Sequence, residues 1–165
     1  MSKTMILFFV SFLVRLHILT PIRVARLKFF YKLHRWPDFE HPKDINEKIN
    51  WMKFYGDTSQ WSLLADKYRV RDYVAEKIGE EYLIPLIGKW DTVDDIDWDQ
   101  LPQQFVMKCN NSSGDVVVCT DKKTLDKKKT LQHFRKNLQT PYGILTGEEH
   151  YKQIRPCIIA EELLD

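Results

Sequence analysis

The chain has 165 residues, 44% of them apolar and 29% charged. That suits a folded domain with a sizeable core and excludes a disordered chain. A net charge of +2 excludes a uniformly basic nucleic-acid binder, and three cysteines without a CxxC exclude a disulfide framework and a zinc knuckle. A reduced, cytosolic compartment is expected. The charge is unevenly spread. Residues 1–37 carry Lys3, Arg15, Arg23, Arg26, Lys28, Lys32 and Arg35 and no acid, whereas the rest carries 18 basic and 23 acidic residues, a net −5. Two parts are therefore expected, a basic apolar helical region over 1–36 and a body over 37–165.

Residues 5–14 (MILFFVSFLV) form an apolar run, which as a helix covers about half of a ~30 Å hydrocarbon core. Extension to Ile22 brings in Arg15, at a cost of about 2.5–3.5 kcal/mol on the insertion scale, with His17 and Pro21. Twelve Leu, Ile, Phe and Val residues return roughly 0.3–0.6 kcal/mol each, so spanning is close to balance. No small-residue cleavage site follows Val14, which argues against a signal peptide. Pro21 suits a helix start, and Ile22, Ala25, Phe29 and Leu33 form one stripe with Lys28, Lys32 and Arg35 opposite. This resembles a basic interfacial anchor on an anionic membrane surface, which would put the body at the inner face of the plasma membrane.

A linker over 36–42 precedes Asp44, an expected N-cap with Glu47 three residues on. Ile45, Ile49, Met52 and Tyr55 give that helix an apolar face. Helical pattern resumes at 61–64 and continues through Val70, Tyr73, Val74 and Ile78 to a Gly79 C-cap. Residues 83–87 contain Pro85 and read as an edge strand. Five aspartates over 91–99 read as a solvated acidic loop, since their spacing fits no calcium loop. Residues 105–109 and 116–119, joined by NNSSG, read as a hairpin. Leu131, Phe134 and Leu138 mark a helix with Lys127, Lys128 and Lys129 on its solvated face, and 157–160 form a last strand.

The strongest chemical constellation is Lys108 leaving a strand into Asn110, Asn111, Ser112, Ser113 and Gly114. The ammonium supplies a point charge and small residues let backbone N–H groups approach phosphate, although no Walker A pattern is present. Asp66-Lys67 and Glu161-Glu162 are further candidates. An acid leaving a covered strand can accept from an adenine amino group or a ribose hydroxyl. Five scattered histidines have no metal-ligand spacing, and no metal ligands are assigned. Cys109 abuts Lys108 and reads as a small buried residue rather than an activated thiol.

The order of the strings HPKDINEKINWMKFYGD, LADKYRVRDYVAEKIGEEYLIPLIGKWD, FVMKCNNSSGDVVVC and RPCIIAEELLD resembles the TupA-like ATP-grasp family over residues 37–165. The resemblance implies an α+β, ATP-grasp-like fold, expected here to be truncated after the adenine-hinge strand, with ATP between two subdomains. It implies phosphate contacts from Lys67 and Lys108, a phosphate loop of Asn110, Ser112, Ser113 and Gly114, and an adenine hinge at Glu161 and Leu163, the latter through its backbone. Mg²⁺ is expected for the family, with ligands in a portion beyond residue 165, so a separate C-terminal half is an expected partner. The implied role lies in bacterial cell-surface polysaccharide synthesis, with a carboxylate- or sugar-bearing polymer precursor as acceptor. Carboxylate–amine ligation through an acyl phosphate is the first reading. A sugar-nucleotide glycosyltransferase and an inactive remnant are the alternatives.

Overall fold

The computed structural model describes residues 19–139, 142–143 and 148–164. The apolar run over 5–14, Arg15 and His17 lie outside the described residues. No helix among the described residues is long and apolar enough to cross a membrane. Two compact units are present, one drawing on residues 19–60 with 142–143 and 148–152, the other on 61–139 with 153–164.

The first unit contains α1 (Pro21–Leu33) and α2 (Ile45–Tyr55). Proline opens α1 at a position where its missing N–H costs nothing. His34, at φ 54°, closes it and returns its N–H to the Phe30 carbonyl. Phe39 is fully buried, edge-on to Phe29 with centroids 5.8 Å apart and stacked on Phe54 at 6.1 Å. The Arg35 guanidinium lies 4.8 Å from the Phe29 ring centre.

Asp44 caps α2 as its sequence requires, its Oδ1 accepting from the Asn46 and Glu47 N–H groups at 2.9 and 3.0 Å. The face that α2 buries is the reverse of the expected one. Ile45, Ile49, Met52 and Tyr55 are all exposed, Ile45 by 66%, whereas Glu47 is 2% exposed. The physical reason is compensation. The Glu47 carboxylate accepts from the Lys43 N–H at 2.8 Å and the Asp38 N–H at 3.3 Å, and it pairs with Arg35. A carboxylate so satisfied can be taken from water.

Those same bonds, first from the Lys43 N–H and then from Arg35, hold the Glu47 carboxyl down at about 2, against an ordinary 4.5. The folded value lies below the unfolded one, so the stability it contributes is complete above about 4.5 and is lost as pH falls toward 2. Urea midpoints followed by circular dichroism should hold steady from neutral pH to the upper edge of that window, then fall within it. Glu47→Gln should flatten the fall, and an unchanged acid limb in that variant would refute the assignment.

The second unit holds α3 (Trp61–Ala65), α4 (Val70–Ile78), α5 (Lys127–Gln139) and four strands. These are β1 (Leu86–Trp90), β2 (Phe105–Cys109), β3 (Val116–Cys119) and β4 (Ile158–Glu161). The sheet order is β1-β4-β2-β3, every neighbour antiparallel. The strand expected over 83–87 forms instead over Leu86–Trp90, past Pro85, and takes the expected edge position. The 105–119 hairpin forms as expected, with Phe105 opposite Cys119 and Lys108 opposite Val116. The last strand is central rather than peripheral, and all four of its residues are buried.

Strand parity sorts the sheet into two faces. Phe105, Met107, Cys109, Ile158 and Ala160 join Val93, Ile96, Leu101 and Phe134 of α5 in the main core. Lys127, Lys128 and Lys129 stay exposed on α5. The acidic loop contributes Val93 and Ile96 to that core through a 3-10 turn over Val93–Asp95, while its aspartates stay in polar contacts such as Asp94 with Arg135 at 2.8 Å. The opposite face of the sheet carries Val106, Lys108, Ile159 and Glu161.

Candidate functional site

Lys108 stands opposite Ile159, and Glu161 stands opposite Val106. The two are therefore diagonal neighbours on one face, within reach of long side chains. Their side chains form an ion pair. Glu161 is 5% exposed, and a second cation serves it: Arg71 of α4 donates through Nη1 to Glu161 Oε1 at 2.9 Å and through Nη2 to the Ile84 carbonyl at 2.7 Å. One buried carboxylate thus lies between two cations, one fixed by a second bond to backbone and one on a flexible stem.

Lys67 approaches from the turn between α3 and α4. Asp66 builds that turn, its Oδ1 accepting from the Tyr68 and Arg69 N–H groups at 2.9 and 3.1 Å. The Lys67 N–H donates to the Asn110 carbonyl at 3.1 Å, and its ammonium donates to the Ser112 carbonyl. Burial first, and then the charge of Lys108, pushes the Lys67 ammonium below its ordinary value. Two lysines from separate elements therefore meet at the start of the 110–114 loop.

The loop residues divide by role. Asn110 is 1% exposed and its side chain is fully employed. Its Nδ2 donates to Asp66 Oδ1 at 2.9 Å and to the Arg155 carbonyl at 3.0 Å, and its Oδ1 accepts from the Cys157 N–H at 2.8 Å. The Ser112 hydroxyl donates to the Cys109 carbonyl at 3.2 Å. Ser113 and Gly114 are exposed, and Gly114 sits at φ 73° with open space where a Cβ would project. A ligand can thus approach the backbone at the tip, while Asn110 and Ser112 hold the loop's base. Beyond the tip, Asp115 is anchored by His133 at 2.7 Å and by Asn137.

Cys109 is fully buried, and burial pushes its thiol up to about 12, so the neighbouring lysines do not make it a nucleophile. Leu163 is not in the lysine cluster. It lines a cleft with Ile87, Pro102, Gln104, Thr120 and Glu162, toward the N-terminal end of β2. The loop and Leu163 therefore lie toward opposite ends of β2. From Gln104 to Asn110 the strand rises about 20 Å at roughly 3.3 Å per residue. An elongated ligand would be needed to touch both.

Residues 47–165 match the family described as TupA-like ATPgrasp. The chain belongs to the TupA-like ATP-grasp family. No curated protein and no solved structure matches it. Membership implies ATP as the nucleotide, and the α+β architecture with its four-stranded antiparallel sheet agrees with an ATP-grasp-like domain. Every residue of the Lys67, Lys108 and Glu161 cluster falls inside the matched stretch, as does Arg71. Sequence reasoning passed over Arg71. The available signal was its spacing of four from Lys67 within ADKYRVRDYV, which places both on one side of a helical turn.

Proposed function

We propose that this chain binds ATP along the face of its sheet that carries Lys108 and Glu161. The phosphates lie against Lys67, Lys108 and the exposed tip at Ser113 and Gly114, and the adenine lies toward Leu163. The observation that carries this reading is the convergence of two lysines from separate elements at the base of one small-residue loop. An incoming phosphate gives the half-buried Lys67 ammonium an anion in direct contact. Lys108 exchanges Glu161 for a phosphate oxygen, and Arg71 stays with Glu161 so that the carboxylate is not left bare.

The reaction served is carboxylate–amine ligation on a precursor of a bacterial surface polysaccharide, at the inner face of the plasma membrane. A carboxylate oxygen attacks the γ-phosphorus and ADP leaves with the bridging oxygen. The resulting acyl phosphate is then attacked by an amine, with release of inorganic phosphate and a proton. Mg²⁺ supplies charge neutralisation to such transfers. Among the described residues, no three His, Cys, Asp or Glu side chains converge as a metal site. Lys67, Lys108 and the loop tip bind and orient ATP.

Calorimetric titration of the folded chain with ATP and with UDP-glucose tests the reading. ATP should bind in preference, and Lys108→Met should weaken it about tenfold or more, equivalent to about 1.4 kcal/mol. Preference for UDP-glucose would overturn the reading in favour of sugar-nucleotide transfer. Binding of neither would overturn it outright.

A further inference from the structure

A second cation-lined cleft lies in the other unit, between α1 and α2. It is an open groove lined by Lys28 and Lys32 from α1 and Lys53 from α2, with Asn46 and Asn50 beside them and with buried Phe29 and exposed Leu33 as its apolar lining. Its volume is about 310 Å³. The spacing explains the convergence. Lys28 and Lys32 are one turn apart on α1, and Asn46, Asn50 and Lys53 follow one another at helical spacing along α2, so two polar stripes face each other.

The ammonium groups repel one another. Partial desolvation and the charge of Lys32 push Lys28 below its ordinary value. Desolvation also lowers Lys53, with Lys28 adding to it. Glu148 is the carboxylate that acts on both, and Lys53 and Glu148 also act on His150. Among the described residues, three lysines line the cleft and Glu148 is the carboxylate that acts on Lys28 and Lys53, so the balance there is positive.

We propose that the cleft between α1 and α2 is an anion site of its own, which takes a phosphate monoester carrying an organic stem. A doubly charged phosphate suits that positive balance, its oxygens accept from ammonium groups on both walls, and a carbon stem lies along Phe29 and Leu33. The site is independent of the nucleotide reading, since none of its residues belongs to the Lys67 and Lys108 cluster. Both a soluble phosphomonoester and a phosphatidic acid headgroup offer this chemistry.

The test is lysine acetylation of the full chain read by peptide mass spectrometry, in a Lys67→Met/Lys108→Met background that removes the nucleotide cluster. Glycerol 3-phosphate is one arm. Vesicles of phosphatidylcholine with phosphatidic acid are the second, and vesicles of phosphatidylcholine alone are their control. At roughly ten times the dissociation constant, labelling of Lys28, Lys32 and Lys53 should fall about tenfold together. Lys127, Lys128 and Lys129 on α5 should label as before. Protection in the soluble arm supports the site with a soluble source, and protection only by the anionic vesicles supports it with a lipid source. Lys28→Gln/Lys53→Gln should abolish the protection of Lys32, and Lys32→Gln alone should weaken protection of the other two if the double variant does not fold. Unchanged labelling of the three lysines in both arms overturns the proposal. Equal protection of the α5 lysines, or protection by phosphatidylcholine alone, overturns it as well.

Discussion

Replacing Arg71 with Met should lower the unfolding free energy by about 3–5 kcal/mol, the range for removing one partner of a buried ion pair. Glu161 is 5% exposed and would keep only Lys108. The Ile84 carbonyl would lose its 2.7 Å donor as well. Arg71→Lys should recover part of the loss, because one charge cannot serve the carboxylate and the carbonyl in the fork geometry. Arg71→Met/Glu161→Met should be more stable than Arg71→Met, since the buried carboxylate is gone and the Lys108 ammonium it leaves behind is 21% exposed and can turn to water. Urea unfolding of the three variants measures this. A double variant no better than the single would show that the ion pair is not what Arg71 contributes. ATP titration adds a readout that a purely structural role would not move. In folded Arg71→Met, Lys108 is the only counter-charge of Glu161, so its transfer to phosphate becomes costly and affinity should drop even where the sheet is intact.

The second large effect is expected at Asn110. Asn110→Ala deletes three side-chain bonds inside the protein, one of them to a carboxylate, and should cost roughly 3–5 kcal/mol. Asn110→Asp separates bonding from volume. Its shape is nearly unchanged, but a carboxylate there would face Asp66 Oδ1 and the Arg155 carbonyl with no hydrogen to offer. At neutral pH it should be at least as destabilised as the alanine variant. A thermal scan decides, and an Asn110→Asp protein that melts with the parent would refute the network. The Asn110 side chain works inside the protein, where it joins the Asp66 turn, the hairpin and the approach to β4.

What the sequence made legible was local. Asp44 reads as a cap because a short carboxylate two and three residues before unbonded N–H groups has one good use. The hairpin reads correctly because two β-rich runs flank the small polar residues 110–114. The α2 face could not be read, because a stripe of apolar residues is ordinarily the stripe that packs. Here a glutamate takes the buried side once Arg35 and two backbone N–H groups satisfy it, and nothing within the helix announces those partners. Strand order was equally hidden. The run at 157–160 is visible as a strand, but its insertion between β1 and β2 is decided by pairing across roughly 50–70 residues. Lys108 was marked by the small polar loop it enters and Lys67 by its place beside Asp66, and the family resemblance implied a phosphate contact for both. Arg71 was not marked, since an arginine in a charged helix is ordinarily a surface residue, and only Glu161, ninety residues on, gives it a reason to be inside.

The central place of β4 has a kinetic consequence. β2 and β3 can zip as soon as their turn closes, because their partners are close in sequence. β1 has no such neighbour, and both it and the inner edge of β2 must wait for residues 158–161 before their backbone groups are paired. Until then the chain presents open strand edges, including the apolar Phe105 and Met107, to whatever else is extended nearby. Closing the sheet is therefore a late, high-separation event of the kind that slows folding and lengthens exposure to aggregation. Substitutions in β4 should act mainly on the yield of soluble protein, well before they register in the properties of the molecules that succeed in folding.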